Sequence, residues 1–226
     1  MWNISHHLLH FPDVGKRSYD RPDCGLAVAL DLLGERWTLL IVRELLFGPQ
    51  RYTDLNTALD GLSTNLLAER LRHLEDVGIA ARRDLPPPAA CTVYELTEVG
   101  LELEPLVLRL AQWGARFAED CSAITDPRSA AFAMLAQLEG ASDTDTTECR
   151  FDIDGVSIAV QLRGGRLHAQ PYAPADPAAV ASTDSEAYLA ILNGDLSWND
   201  AVNRHAVRIE GDRAQFATLF ASVRPR

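Results

Sequence analysis

The chain has 226 residues, of which 47% are hydrophobic, and it carries a formal net charge of −11 at neutral pH. This length allows two modest hydrophobic cores, and the negative charge argues against a protein that coats DNA regardless of sequence, because such binding depends on cations facing phosphates. The chain has no long apolar run and no leader pattern, and its four cysteines have neither disulfide nor metal-site spacing. These features predict a cytoplasmic protein with no membrane contact.

The segment from Arg51 to Thr97 predicts a winged helix-turn-helix. Its signals are helix caps, turn residues and apolar periodicity. In chain order they predict a helix opened by Tyr52 and capped by Thr53, a turn at 60–62, a helix from Ser63 to Gly78, and strands over 79–84 and 91–96. An apolar, buried central helix is predicted to flank this segment over 37–47. In such a fold the second helix of the motif enters the major groove and the strand pair lies along neighbouring phosphates. A helical hairpin that serves only packing is the alternative.

The helix that starts at Ser63 is the predicted recognition helix. Leu67, Leu71 and Leu74 repeat at helical spacing and are expected to pack inward, which leaves a polar face for DNA. The expected DNA contacts are Arg51, Thr53, Ser63, Thr64, Asn65, Arg70, Arg72, Arg82 and Arg83. Residues 51–98 carry five arginines against eight acidic residues, so DNA binding is expected to be modest and sensitive to salt.

A long amphipathic helix is predicted from Glu98 to Asp120. Its apolar residues are Leu103, Leu106, Val107, Leu110, Trp113, Gly114 and Phe117, followed by Cys121. This stripe is wider than one small domain needs, so it is expected to pack against a second copy of the chain or against the second domain.

A second domain is predicted after Asp126-Pro127, where the character of the sequence changes. Its predicted elements are a helix over 128–138, a polar loop over 140–147, a hairpin from Phe151 to Leu162 with an Asp-Gly turn, a strand over 166–172 after Gly164-Gly165, helices over 185–193 and 197–203, a strand over 207–210, and a last helix capped by Asp212. The predicted fold class is α+β, with helices on a mainly antiparallel sheet in the second domain. The predicted bounds are 1–20 for a tail, 21–125 for the first domain and 127–226 for the second.

The first domain resembles the HxlR-type family of bacterial transcription regulators. Within residues 24–117, the resemblance is carried by the blocks Ala29 to Ile41, Arg43 to Pro49, Glu69 to Glu75 with Gly78, and Tyr94 to Thr97 with Gly100. It implies a homodimer formed through the terminal helices, with two recognition helices about one DNA turn apart on a palindromic operator. Asn65 and Ala89-Ala90 depart from the family, which commonly has basic residues there, and each departure removes a phosphate contact.

The resemblance also draws attention to Cys24. This residue stands where the family usually carries a cysteine, which implies a thiol that senses oxidants or electrophiles. Arg21 and Arg36 are the cations expected near it, and a nearby cation lowers a thiol pKa. A small buried side chain in the dimer interface is the alternative.

The second domain resembles the sterol-carrier-protein type two family over residues 128–223. The resemblance is carried by Ser182 to Asp184, Tyr188 to Gly194 and Val207 to Asp212. It implies an apolar tunnel for lipid or fatty acyl groups. The residues expected to line the tunnel are Phe132, Leu135, Tyr188, Leu192, Trp198, Phe216 and Phe220. An ordinary filled core of the same side chains is the alternative.

The sequence predicts no catalytic, cofactor or metal site. It has no phosphate loop, nucleophile motif or convincing metal-ligand spacing, and His6, His7 and His10 are interpreted as part of a tail. Twenty arginines against one lysine favour a bacterial source. The predicted function is a dimeric transcription regulator that binds double-stranded DNA and whose affinity for DNA is changed by an apolar molecule in the second domain. The alternatives are a regulator that senses through Cys24, and a lipid-binding or structural protein that no longer binds DNA.

Overall fold

The computed structural model describes residues 19, 21, 23–117, 124–140, 145–146 and 148–225. The chain divides into two compact units, residues 1–107 (the N-terminal unit) and 108–226 (the C-terminal unit). The predicted domain bounds stay a prediction. His6, His7 and His10, which are interpreted as part of a tail, lie outside the described residues, as do Cys121 and most of the polar loop. Within the described ranges, no helix has the length and apolar character needed to cross a bilayer.

The N-terminal unit has the elements of a winged helix-turn-helix. They are α1 Gly25–Leu33, α2 Thr38–Leu45, β1 Gln50–Arg51, α3 Tyr52–Ala58, α4 Thr64–Asp76, β2 Ala80–Asp84, β3 Thr92–Leu96, α5 Glu98–Leu101 and α6 Glu104–Ala115, of which α6 continues into the C-terminal unit. The strands form an antiparallel sheet in the order β1-β3-β2. The predicted motif, with α3 and α4 as its two helices and β2 and β3 as its wing, is confirmed.

The bounds of α4 follow from its local sequence. The Ser63 hydroxyl accepts a hydrogen bond from the Leu66 backbone N–H at 3.4 Å and so caps the start of the helix. Gly78 follows the end with a φ of +73°, which favours glycine. Leu67, Leu71 and Leu74 are buried, as their spacing predicts.

Two expectations for the N-terminal unit are wrong. Thr53 does not cap α3, because the helix already begins at Tyr52 and the Asp54 carboxylate accepts from the Arg51 backbone N–H at 3.3 Å. The helix predicted from Glu98 is interrupted between α5 and α6, and its predicted end lies outside the described residues. The buried helix predicted over 37–47 corresponds to α2, in which five of eight residues are buried and Leu40 is exposed.

The C-terminal unit packs helices on a mixed sheet. Its elements are α7 Pro127–Gln137, β4 Leu138–Gly140, β5 Cys149–Ile153, β6 Val156–Arg163, β7 Arg166–Gln170, β8 Ala179–Thr183, α8 Ser185–Leu192, α9 Trp198–Asn203, β9 Val207–Gly211, α10 Arg213–Ala221 and β10 Val223–Pro225. The main sheet has the order β7-β6-β5-β8-β9, and its described pairs are antiparallel except β5 with β8. β4 pairs with β10 in a small second sheet. The prediction of a mainly antiparallel sheet is confirmed.

Turn and cap residues set the strand and helix bounds of this unit. Asp154-Gly155 joins β5 to β6 with φ values of +48° and +87°, which are typical of the two-residue hairpin turn predicted there. Asp212 caps α10 as predicted, because its carboxylate accepts from the backbone N–H groups of Ala214 and Gln215. Leu138 departs from its prediction, since it begins β4 instead of ending α7.

Candidate nucleic-acid interface and aromatic groove

The start of the recognition helix α4 is exposed and firmly positioned. Ser63, Thr64 and Asn65 all face solvent at the helix N-terminus, where backbone N–H groups and the helix dipole favour anions. The Tyr52 hydroxyl donates to the Thr64 carbonyl oxygen at 2.6 Å, which fixes this end of α4 against the start of α3. The three residues therefore have the placement that base-edge or phosphate contacts require.

The arginines expected at DNA fall into two groups. Arg70 is only 13% exposed and pairs with Glu35 at 3.1 Å and with Glu69 at 3.4 Å. Arg83 pairs with Glu95 through two hydrogen bonds of 2.7 Å. In contrast, no carboxylate of the described residues lies within salt-bridge distance of Arg51, Arg72 or Arg82, which are exposed.

The pair in the wing changes the charge that DNA would meet. The hydrogen bonds from Arg83 hold the pKa of Glu95 below its usual range, and the same contact raises the pKa of Arg83. Both groups therefore stay charged and cancel each other at neutral pH. Arg82, on the same strand, keeps an uncompensated charge, so it is the stronger candidate for a phosphate contact.

Two side chains of α4 hold the end of α1. The Nε2 of His73 lies 2.9 Å from the carbonyl oxygen of Leu32 and donates to it, while Arg70 reaches Glu35 just beyond the helix. Arg70 and His73 are three residues apart and so share a face of α4. This geometry gives Arg70 a positioning role. The DNA contact expected of Arg70 stays a prediction, and the burial of its side chain argues against that contact.

Cys24 lies at the start of α1 and is partly exposed. The two cations expected near it have other partners: Arg21 pairs with Asp23 at 3.5 Å, and the Arg36 guanidinium lies over the Trp37 ring at 5.4 Å. Cys149 differs from Cys24, because it is buried in β5 and burial raises its pKa to about 11.

The C-terminal unit contains a groove of about 600 Å³ beside α9 and α10, which we call the aromatic groove. Its described lining is Ser197, Trp198, Asn199, Val202, Asn203, Ile209, Arg213, Phe216, Ala217, Phe220 and Ala221. Three residues expected to line a ligand site, Trp198, Phe216 and Phe220, therefore lie together. This size is within the range of small-molecule sites.

The other four expected ligand residues lie outside that described lining. Tyr188 and Leu192 are buried, and the Tyr188 hydroxyl donates to the Ala130 carbonyl oxygen at 2.9 Å, which ties α8 to α7. Burial also raises the pKa of Tyr188. Phe132 and Leu135 on α7 are half-buried. Their assignment to a ligand site stays a prediction.

Sequence reasoning missed Phe151, which supports the groove from behind. Its ring centroid lies 5.6 Å from that of Trp198, 5.6 Å from that of Phe216 and 5.5 Å from that of Phe220. The signal was present in β5, where alternation puts Cys149, Phe151 and Ile153 on one buried face.

Among the residues that the structure describes, no group of three potential ligands is placed to bind a metal ion.

Comparison with known proteins concerns the N-terminal part of the chain. The family model of the HxlR-like helix-turn-helix matches residues 32–122. The uncharacterized HTH-type transcriptional regulator YvaP of Bacillus subtilis is 36% identical over 91 residues, which are 40% of this chain and 84% of that protein. The HTH-type transcriptional regulator YodB of the same organism is also 36% identical over 91 residues, 40% of this chain and 81% of that protein. A solved structure of YodB from B. subtilis in its reduced form shares 35% identity, covers 42% of this chain and 95% of that chain, and has a TM-score of 0.39. The chain therefore belongs to the HxlR-like helix-turn-helix family.

Proposed function

We propose that this chain is a bacterial transcription regulator that binds double-stranded DNA as a homodimer, through α4 and the wing formed by β2 and β3. The observation that carries the proposal is the exposed, capped start of α4 at Ser63, together with the exposed Arg72 on the same helix, which has no ion-pair partner among the described residues. The relatives YvaP and YodB, both HTH-type transcriptional regulators of a bacterium, support it.

The arrangement of charge favours specific over general DNA binding. Among the described arginines of the helix-turn-helix and its wing, Arg51, Arg72 and Arg82 are exposed with no carboxylate in salt-bridge distance, so a dimer would make about six phosphate contacts through them. The logarithm of the binding constant should then fall with the logarithm of salt concentration with a slope of about −5, since each contact contributes about 0.9. The net charge of −11 opposes any further attraction that does not depend on sequence.

The exposed face of α6 supports the dimer. Leu106, Leu110, Trp113 and Phe117 follow one another at helical spacing, are between 49% and 65% exposed, and end in a Trp113–Phe117 ring pair with centroids 5.0 Å apart. Such a continuous apolar stripe favours an interface. A twofold pair built on it would present two copies of α4 to a palindromic operator.

Fluorescence anisotropy with labelled duplexes from the DNA beside the gene tests the proposal. Arg72→Ala should weaken operator binding about ten-fold and leave the melting temperature unchanged, because it removes an exposed phosphate contact. Arg163→Ala is the matched control, since Arg163 is an exposed arginine at the end of β6 in the C-terminal unit. If no duplex binds in preference to unrelated DNA even at low salt, where phosphate contacts are strongest, the chain is not a DNA-binding regulator.

We further infer that the C-terminal unit provides the effector site and that the aromatic groove is that site. The support is the convergence of Trp198, Phe216 and Phe220 on one groove, and the resemblance of residues 128–223 to the sterol-carrier-protein type two family. An effector would change DNA affinity by binding one arrangement of the dimer better than another. The competing function is that of a lipid-binding or structural protein. Such a protein would show no preferential binding to any duplex in the anisotropy experiment.

A second candidate is a thiol-sensing regulator that acts through Cys24. The favouring observation is that Cys24 immediately precedes α1, whose other end is held by His73 and, through Glu35 just beyond it, by Arg70 of the recognition helix. Oxidation at the start of α1 would thus act on the element that positions α4. Diamide with glutathione should convert the Cys24 thiol into a mixed disulfide, with both thiol protons and two electrons passing to diamide, and should then weaken operator binding by the wild type but not by a Cys24→Ser variant. An equal response of both proteins removes this candidate.

A further inference from the structure

The aromatic groove has an apolar wall that packs well and yet remains partly open. Trp198 and Phe220 are half-buried with ring centroids 3.6 Å apart, and Phe216 lies beneath them, 4.6 Å from Phe220. Val202 and Ile209 extend this wall. A flat aromatic body can stack on such a wall and remove its remaining apolar surface from water.

The polar part of the groove carries one sign of charge. Among the lining residues that the structure describes, Arg213 is the charged one, and Ser197, Asn199 and Asn203 are neutral. Arg213 is the first residue of α10 and is exposed. A cation at the rim of an apolar groove is notable in a chain with a net charge of −11.

Two acidic residues next to the groove, Asp200 and Asp212, accept hydrogen bonds from other groups. The Asp212 carboxylate accepts from two backbone N–H groups of α10 at 2.9 and 3.1 Å, and the Asp200 carboxylate accepts from the Ser197 hydroxyl at 2.7 Å. Within the described part of the chain, no carboxylate lies within salt-bridge distance of Arg213. Its charge is therefore available to a ligand.

We propose that the aromatic groove binds a flat aromatic acid, with its ring system on Trp198 and Phe220 and its carboxylate or sulfonate at Arg213. The groove volume of about 600 Å³ suits a molecule of a few fused or linked rings. This inference rests on the proposed effector role of the groove and specifies the chemical class of the effector. A saturated acyl chain would gain less here, because it cannot stack on the rings.

Two fluorescent probes that differ in charge test the proposal on the full-length protein. Anilinonaphthalene sulfonate carries both the ring system and the anion, whereas N-phenylnaphthylamine has a similar ring system without charge. Arg213→Gln should weaken the sulfonate probe about ten-fold or more and change the neutral probe less than about two-fold, because only the first probe loses a charge-assisted hydrogen bond. Arg208→Gln is the control, since Arg208 is exposed on β9 and lies outside the groove lining.

A second pair of variants locates both probes. Ala217→Trp places a ring in the groove from an exposed position of α10, so it should abolish the binding of both probes without unfolding the protein. Thr218→Trp, at the next and equally exposed position outside the lining, should leave both dissociation constants within about two-fold. Circular dichroism confirms that each variant is folded.

The outcomes separate this inference from the proposed function. If Arg213→Gln weakens both probes equally or neither, the groove does not recognise an anion, although it can still be an effector site. If Ala217→Trp leaves probe binding unchanged, the probes bind elsewhere, for example on the apolar face of α6, and both the acid and the effector role of the groove are rejected. Neither outcome bears on the DNA-binding proposal, because operator binding is measured without probe.

Discussion

At the scale of single residues, neighbouring arginines in this protein have different roles. Arg82 and Arg83 are consecutive on β2, yet Arg83 is neutralised by Glu95 across the wing whereas Arg82 is not. The same division separates Arg70, held by Glu35, from Arg72 on the outer face of α4. A count of arginines along the chain therefore overestimates the charge that DNA would meet.

The wing pair yields a prediction for Glu95→Gln. This change removes one negative charge and releases Arg83, so operator binding should tighten several-fold and the salt slope should steepen by about 0.9 for each freed arginine that contacts a phosphate. Glu102→Gln is the matched control, because Glu102 is exposed outside the helices and strands. Unchanged affinity and slope in anisotropy titrations would mean that the wing does not approach DNA.

The pair also gives a direction for the dependence of stability on pH. The pKa of Glu95 is lower in the folded protein than its usual value, so the contribution of the pair is present above that usual value. It is lost as pH falls through the lower pKa of the folded state. Because the group is solvent-accessible, the effect on the free energy of unfolding is small.

Cys149 should be inert in the folded protein. Its pKa of about 11 and its full burial withhold the reactive thiolate, whereas Cys91 is partly exposed before β3. Iodoacetamide at mildly alkaline pH, followed by peptide mass spectrometry, should label Cys91 in the native protein and Cys149 only in denaturant. Comparable labelling rates for the two would contradict the buried position of β5.

The same thiol weakens the fold at high pH. An exposed thiol has a pKa near 9.0, so between about 9 and 11 the unfolded chain loses the proton that folded Cys149 retains. The contribution of Cys149 to stability is therefore complete below pH 9 and decreases as the pH rises towards 11. A Cys149→Ala variant should lose this part of the alkaline decline in denaturant titrations.

At the scale of elements, the recognition helix is placed by the contacts of Arg70 and His73 with the end of α1. Arg70→Met keeps the apolar stem but removes the ion pair with Glu35, so it should lower the free energy of unfolding by about 1–3 kcal/mol and weaken DNA binding indirectly. Arg72→Met is the control, since it should weaken DNA binding with little change in stability. If Arg70→Met matches Arg72→Met in both thermal melting and anisotropy, Arg70 is an ordinary DNA contact.

Elements with strong local signals could be predicted from the sequence. α4 has a serine cap and a terminal glycine, and the β5–β6 hairpin has an Asp-Gly turn, so short-range chemistry sets their bounds. β1 and β10 are two and three residues long and exist only through their partners β3 and β4, so no periodicity could show them. β8 was missed because its two buried residues, Ala179 and Ala181, are alanines, which are depleted in strands.

The candidate sites divide in the same way. The exposed start of α4 at Ser63 follows from helix geometry and could be predicted. The partners of Arg70 and Arg83 depend on residues that tertiary structure brings near, namely Glu35 and Glu95, and no local pattern gives them. In the C-terminal unit, helical spacing alone could not separate Trp198, which lines a groove, from Tyr188, which is fully buried.

At the scale of the whole molecule, the apolar face of α6 determines the expected assembly. Leu110→Glu puts a charge in the middle of the exposed stripe and should convert a dimer into monomer or aggregate, measured by sedimentation velocity. Ala115→Glu adds the same charge to the same helix, away from the stripe, and should leave the dimer intact. A well-behaved monomer for the unmutated protein would remove the geometric basis for recognising a palindrome.

The strand order β7-β6-β5-β8-β9 determines how long each strand waits for its partner during synthesis. β5, β6 and β7 follow one another and can pair as soon as they are made, but β8, which covers the other edge of β5, ends 30 residues after β5 does. At about 5–20 residues per second, that edge waits for roughly 2–6 s. During this time the backbone of Cys149–Ile153, which is interior in the finished sheet, presents an unpaired strand edge to other nascent chains. The delay before β8 is made is therefore a period of aggregation risk during synthesis, which ends when β8 pairs with β5.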